Sequence, residues 1–142
     1  MRALSRSATR YVSKLSNKLR RKLERLFSKT EFSGSQGRTL HFLLAQTDAV
    51  FQKDIEEEYS LRPSTATELL KQMEKNGLIR RQPVPYDNRL KQIVLTEKAL
   101  QYHDQVVKDL TALEETLTKG IAEEDLEVFF TVIEKMMDNL SE

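Results

Sequence analysis

The sequence predicts a mostly α-helical domain that carries one small β-hairpin. Apolar residues recur at steps of three and four along most of the 142 residues, which is the period of amphipathic helices. With 4 glycines and 3 prolines the chain is rarely interrupted, and strand-like segments flank turn residues in one stretch, residues 78–95. The length suits a single domain with its own hydrophobic core.

The first predicted helix covers residues 4–27 and has a basic outer face. Its apolar residues are Leu4, Ala8, Tyr11, Val12, Leu15, Leu19, Leu23 and Leu26. Residues 1–29 contain ten Lys or Arg residues and one Glu, which gives a net charge of +9. A transit peptide or a helix lying on an anionic membrane would show a similar composition, but the leucine stripe also suits packing against a partner helix.

Two short helices are predicted next, over residues 34–46 and 51–59. A compact turn then leads into a further helix over residues 63–76, since proline is tolerated at the first position of a helix. Asn76-Gly77 ends this helix, because glycine readily adopts the left-handed conformation that closes a helix C-terminus. The sequence therefore places a short helix, a tight turn and a second helix in succession.

The helix over residues 63–76 has two distinct faces. Its apolar stripe consists of Ala66, Leu69, Leu70 and Met73, and its polar face holds Ser64, Thr65, Glu68, Lys71, Gln72 and Lys75. A short helix, a turn and a second helix with a polar outward face form a helix-turn-helix, in which small hydroxyl side chains allow close approach to DNA. Gln72 can bond adenine and Lys71 can reach phosphate. An ordinary solvent-exposed helix face is the alternative interpretation.

A hairpin directly after this helix, which we call the wing, strengthens the DNA-binding interpretation. Its strands are predicted at residues 78–83 and 90–95, with a turn over residues 84–89. Arg89 near the tip suits a narrow, electronegative minor groove. Asp87 would repel phosphate, so we predict that it pairs with Arg89 or Arg81 and fixes the shape of the tip. A surface hairpin with an ordinary ion pair is the alternative.

Two helices complete the predicted fold. Thr96 is a suitable N-cap for a long helix over residues 97–119, in which Leu100, Val107, Leu110, Leu113 and Leu117 are expected to point inward. The last helix covers about residues 122–140 and begins with acids that suit the positive end of its dipole. Residues 99–142 carry three basic and eleven acidic side chains, a net charge of −8. The basic and acidic ends therefore either fold together or pair between two copies.

The composition argues against several classes of function. The absence of cysteine excludes disulfides, thiolate metal sites and thiol chemistry. His41 and His103 belong to no metal-binding or triad pattern, and no glycine-rich loop follows a strand. We therefore expect no enzymatic activity, no metal and no cofactor. No apolar run approaches the roughly 20 residues of a membrane span, so a cytoplasmic protein is expected.

The wing resembles that of MarR-family winged-helix regulators. Its Leu78-Ile79-Arg80-Arg81, Asp87-x-Arg89 and Leu95-Thr96 segments follow the family signature, and Leu69-Leu70 with Met73-Glu74 and Gly77 resembles the end of the family's recognition helix. The order of elements is also similar over nearly the whole chain. The resemblance implies one domain over residues 1–142, with a winged helix-turn-helix lobe at 34–96 and dimerisation helices at 1–30 and 97–142.

The resemblance further implies a homodimeric transcriptional regulator, most often a repressor, that binds a pseudo-palindromic operator in double-stranded DNA. By analogy, the residues facing the major groove would be Ser64, Thr65, Thr67, Glu68, Lys71 and Gln72. Arg89, with Lys91 nearby, would approach the minor groove. Many relatives lose DNA affinity when a small aromatic or phenolic effector enters a crevice between the dimer helices and the winged lobe.

A second hypothesis is a winged helix that contacts protein instead of DNA. Residues 53–98 carry nine basic and eight acidic side chains, a net charge of +1. DNA-reading lobes are usually more basic than this. The near-neutral charge of the lobe is therefore also compatible with a protein-interaction module.

Overall fold

The structure is a computed structural model that describes residues 6–141. Its elements in chain order are α1 (Ala8–Leu26), α2 (Gly34–Ala45), β1 (Val50–Phe51), α3 (Gln52–Tyr59), α4 (Pro63–Lys75), β2 (Ile79–Val84), β3 (Asp87–Leu95), α5 (Glu97–Gln101), α6 (His103–Thr118) and α7 (Glu123–Asn139). The mostly helical fold with a small hairpin is confirmed. The predicted start of the first helix, with Leu4, lies outside the described residues. The chain forms two compact units, one ending at Val107 and the other beginning at Lys108.

The close packing of α1 against α2 is built on two glycines. A Cβ atom on Gly34 would lie 2.9 Å from the Leu23 Cβ, and one on Gly37 would lie 2.4 Å from two ring carbons of Phe27. Leu23 and Phe27 are both buried. Small residues at these two positions therefore let the α2 backbone approach the end of α1.

The helix-turn-helix forms as predicted. Ser60 ends α3 in the left-handed conformation with φ 52°, and Pro63 occupies the first turn of α4. The apolar stripe of α4 is buried through Ala66, Leu70 and Met73. Gly77 follows α4 with φ 75°, as its position after Asn76 indicates. The polar face of α4 is thus fixed opposite the core of the lobe.

The sheet contains a strand that the sequence analysis missed. Within the described residues it has three antiparallel strands in the order β1-β3-β2, and Val50 of β1 pairs with Ile93. The wing is longer than predicted, because its turn is limited to Pro85 and Tyr86 instead of residues 84–89. Pro83 is accommodated because β2 lies at the sheet edge and an irregularity in register follows it.

The long helix predicted over residues 97–119 is broken at Tyr102 into α5 and α6. The residues that point inward also differ from the prediction. Ala99 and Val106 are buried, whereas Leu100 is 55% exposed and its predicted inward position is wrong. Leu117 is also exposed in the single chain. Ala99 and Val106 are seven positions apart, so the buried stripe lies one position before the predicted pair Leu100 and Val107.

A polar cluster joins the end of α4 to α5 and to the segment between α1 and α2. The Lys98 ammonium pairs with the Glu31 carboxylate and donates to the Asn76 carbonyl oxygen at 2.7 Å. The Asn76 amide nitrogen donates to the Gln36 side-chain oxygen at 2.8 Å, and the Tyr102 hydroxyl donates to Glu31 at 3.3 Å. This Glu31–Lys98 cluster therefore holds the C-terminal end of α4 in place.

The second unit contains the end of α6 and all of α7. No residue of α7 is buried, although acids occupy its first turn as predicted. The exposed apolar residues of α7 and its flanks include Val128, Phe129, Phe130, Val132, Met137 and Leu140. Within residues 6–141, no helix has both the length and the apolar character that a bilayer crossing requires.

Candidate nucleic-acid interface

The outer face of α4 presents five of the six residues that the resemblance assigns to the major groove. The side chains exposed there are Ser64, Thr65, Glu68, Lys71 and Gln72. No side chain caps the N-terminus of α4 by hydrogen bonding. The N–H groups of the first turn therefore remain available to an external acceptor such as a phosphate oxygen.

Thr67, the sixth residue, is placed differently. It is half-buried, and its hydroxyl donates to the Pro63 carbonyl at 2.8 Å while accepting from the Gln52 amide at 2.9 Å. Gln52 also donates to the Pro63 carbonyl at 3.2 Å. Thr67 thus connects α4 to α3 and sets the angle at which α4 is presented. Gln52 was missed because this contact crosses 15 residues and leaves no local sequence pattern.

Gln72 and Glu68 form a hydrogen-bonded pair on the exposed face of α4. The Gln72 amide nitrogen donates to the Glu68 carboxylate at 3.1 Å. An amide NH₂ has two hydrogens, so one N–H and the carbonyl oxygen of Gln72 remain available. These are the two groups that a bidentate contact with adenine requires. The pair therefore orients the Gln72 amide on the exposed face of α4.

A groove of about 280 Å³ lies along this face between α2 and α4. Thr65, Glu68 and Gln72 line one side, and Ser35 and Arg38 line the other. The sequence analysis did not single out Arg38, because its proximity to α4 is a tertiary feature. The groove therefore connects the exposed face of α4 to α2.

Tyr59 fixes the position of Arg38 beside this groove. The Tyr59 hydroxyl donates to the Arg38 carbonyl at 2.9 Å, and the Arg38 guanidinium lies 5.5 Å from the centre of the Tyr59 ring. Burial, with the neighbouring Glu58 charge, raises the pKa of Tyr59 to about 12. The phenol therefore stays protonated and keeps donating over the physiological pH range.

The tip of the wing presents Arg89 to solvent. Its side chain is 93% exposed. The Asp87 carboxylate accepts from the Arg89 backbone N–H at 2.9 Å and from its Nε at 3.4 Å. Lys91 is exposed further along β3. Asp87 thus holds the backbone at Arg89 while most of the guanidinium remains accessible.

Arg81 does not shape the tip as the sequence analysis expected. It lies at the base of the wing, where it pairs with Ile93 in the strand register, and its guanidinium is 3.7 Å from the Glu74 carboxylate of α4. Glu74 lies beside Arg81, whereas Asp87 lies at the other end of the wing. Arg81 therefore ties the wing to α4, and Asp87 pairs with Arg89.

Within the described residues no group of three or more His, Asp or Glu side chains could hold a metal ion.

Comparisons with known proteins agree with this geometry. The MarR family profile matches residues 33–91, which run from the N-cap of α2 to Lys91 of the wing. The MarR transcription regulator of Oenococcus oeni PSU-1 superposes with a TM-score of 0.85 at 26% identity, over 93% of this chain and 99% of that one. The MepR–DNA complex of S. aureus superposes with a TM-score of 0.87 at 25% identity, over 96% and 100% of the two chains.

A curated relative is similar at lower identity. It is YdgJ of Bacillus subtilis (strain 168), an uncharacterized HTH-type transcriptional regulator, 23% identical over 99 residues. The match covers 70% of this chain and 60% of YdgJ. The profile match lies on the helix-turn-helix and wing, and the structural similarity extends over nearly the whole chain. Residues 33–91 match the MarR family, and nearly the whole chain is similar in fold to MarR-family transcription regulators.

Proposed function

We propose that the protein is a transcriptional regulator that binds double-stranded DNA in a sequence-specific manner. The observation that carries the proposal is the pairing of an exposed polar face on α4 with a wing whose Arg89 is 93% exposed. A helix of this kind fits the major groove, and an arginine-tipped hairpin fits the adjacent minor groove. Ser64, Thr65, Lys71 and Gln72 would contact phosphates and base edges.

The functional form in this proposal is a homodimer. In the single chain, α1 exposes Tyr11, Val12 and Leu15, and α7 exposes its phenylalanines. Exposed apolar helix faces of this extent are typical of surfaces that a partner covers. The charges of +9 over residues 1–29 and −8 over residues 99–142 give two copies complementary surfaces. Two-fold symmetry would then present two α4 helices to one pseudo-palindromic operator.

Repression relieved by a small aromatic or phenolic effector completes the proposal. A groove of about 170 Å³ between α1 and α2 supports it. Arg20, Arg38 and Glu24 lie on its wall with Leu19 and Leu23, so the groove combines charged and apolar groups. A ligand there would contact α2, which also borders the groove along α4. Thermal-shift measurements with aromatic acids would show stabilisation, and the same compounds should release bound DNA.

One observation favours a protein-interaction module instead. Glu68 presents a carboxylate on the exposed face of α4, and residues 53–98 are nearly neutral. Phosphate would be repelled by such a group, whereas a basic peptide would be attracted.

Retention of duplexes from a random-sequence pool distinguishes the two functions. We expect the purified chain to retain duplex DNA at about 50 mM salt and to release most of it at about 200 mM, because bound cations displace counterions. A double variant that carries Gln72→Ala and Lys71→Ala should retain less duplex DNA than wild type at the same salt concentration. If wild type retains no duplex at low salt, DNA binding is excluded and the interaction module is favoured.

A further inference from the structure

The exposed aromatic side chain at the tip of the wing has no role in the interface described so far. Tyr86 is 77% exposed, and among the described large apolar side chains only Leu140 is more exposed. No hydrogen bond, ion pair or ring contact joins Tyr86 to the rest of the described chain. A large amphipathic ring that is mostly exposed to solvent is suited to an external partner.

The backbone that carries Tyr86 is tightly constrained. Tyr86 is the second residue of a two-residue turn, and Pro83 and Pro85 precede it. Proline fixes φ, so this approach to the turn has little conformational freedom. Val84 is buried and Asp87 is bonded to Arg89, which anchors the tip on both sides. A side chain presented on such a rigid tip loses little backbone entropy when it binds.

The position of Tyr86 relative to Arg89 indicates what it contacts. The two residues are three positions apart at one end of the wing, and both side chains are directed to solvent. When an arginine enters a minor groove, the surfaces beside it are the apolar edges of deoxyribose rings and the flanking phosphate oxygens. Tyrosine offers a flat apolar ring for the first and a hydroxyl donor for the second.

We infer that Tyr86 is a DNA-contacting residue that packs its ring against the deoxyribose backbone beside the minor-groove site of Arg89. This inference rests on the proposed DNA-binding function. The contact gives affinity independent of base sequence, because sugars are the same at every position. It holds the wing at the groove edge, so that Arg89 enters at a fixed depth.

The salt dependence of binding separates the contribution of Tyr86 from that of Arg89. With a labelled duplex enriched by the wild-type chain, Tyr86→Ala should weaken binding about tenfold. The slope of log affinity against log salt should stay unchanged, because a phenol displaces no counterion. Arg89→Ala should instead reduce that slope by about one. Tyr86→Phe keeps the ring and should lie close to wild type, which makes it the matched control.

A fluorescent variant reports the contact directly. The chain contains no tryptophan, so Tyr86→Trp introduces a single indole at the tip. Addition of the duplex should quench its emission and protect it from acrylamide. The variants should fold normally, since the Tyr86 side chain is mostly exposed, and circular dichroism checks this.

The outcomes distinguish the inference from the function on which it rests. If wild type binds the duplex while Tyr86→Ala binds equally well and the indole stays accessible, the inference is overturned and the proposed function stands. If wild type enriches no duplex, both are overturned. Strong bending of the duplex that Tyr86→Ala abolishes would contradict backbone packing and show insertion between base steps.

Discussion

At the wing tip, the Asp87 carboxylate pairs with the Arg89 guanidinium. Asp87 fixes the backbone at Arg89 through a 2.9 Å hydrogen bond, and Arg89 remains almost fully exposed. An exposed ion pair of this kind contributes little to folding stability. In the proposed complex with DNA, the pair would orient the Arg89 cation in advance and lower the entropy lost on binding.

Replacing Arg89 by Ala should weaken duplex binding by about 1–3 kcal/mol, because the cation at the minor groove is lost. Fluorescence anisotropy with a labelled operator duplex measures this change. Lys119→Ala is the matched control, since Lys119 is an exposed cation outside the winged lobe. Equal affinity of Arg89→Ala and wild type would remove the wing tip from the mechanism.

Thr67 should affect stability more than recognition. Thr67→Val removes a hydroxyl that bonds to both Gln52 and Pro63, so we expect a loss of about 0.5–1.5 kcal/mol in the free energy of unfolding. Urea denaturation measures the loss. The preferred operator sequence should not change. A changed base preference at unchanged stability would show that Thr67 reads DNA after all.

Among the elements, the packing of α2 on α1 depends on the small volume of Gly37. Gly37→Ala would place a Cβ 2.4 Å from the buried Phe27 ring, and we expect overpacking to cost about 1–3 kcal/mol. Urea denaturation of Gly37→Ala with and without Phe27→Leu tests the cause, because a smaller partner should recover part of the loss. A single variant as stable as wild type would contradict the packing account.

The Glu31–Lys98 cluster should make stability depend on pH. The hydrogen bond from Lys98 is the main cause that holds the pKa of Glu31 below its ordinary value of 4.5; the Lys98 charge and Tyr102 add to it, and desolvation opposes it. A lowered folded-state pKa gives stability that is present above pH 4.5 and is lost as the pH falls through the folded value.

Urea denaturation between pH 3 and 7 tests this dependence. Lys98→Met should be less stable than wild type at neutral pH, and the difference should shrink below about pH 4.5. Lys119→Met serves as the control and should run parallel to wild type. If the stability of Lys98→Met changes with pH in parallel with that of wild type, the Glu31–Lys98 cluster does not couple stability to pH.

The helices were predictable because their apolar residues recur with a regular period, and α4 buries its stripe through Ala66, Leu70 and Met73. Two features were not predictable for definite reasons. β1 has two residues, too few for an alternating pattern, and depends on its partner β3. The break at Tyr102 interrupts a sequence whose apolar period continues through it. In the candidate site, the local turn chemistry of Asp87 was readable, whereas the partners of Thr67, Arg81 and Arg38 depend on tertiary contacts.

For the whole molecule, we propose that a second copy covers the exposed faces of α1 and α7. Light scattering at micromolar concentration should give twice the chain mass of 16.5 kDa. Phe130→Glu should shift the protein toward monomer, because a charge would replace an exposed aromatic ring in the proposed interface. Glu127→Gln on the same helix is the matched control. A monomeric wild type would contradict the dimer.

The central claim is that two copies of α4 and the wing are held at the spacing of B-form DNA. Sequencing of duplexes that the protein selects from a random library tests it most directly. We expect an enriched inverted repeat whose half-sites are centred about one helical turn, or roughly 10 base pairs, apart. An enriched single half-site, half-sites at variable spacing or no enrichment would contradict it.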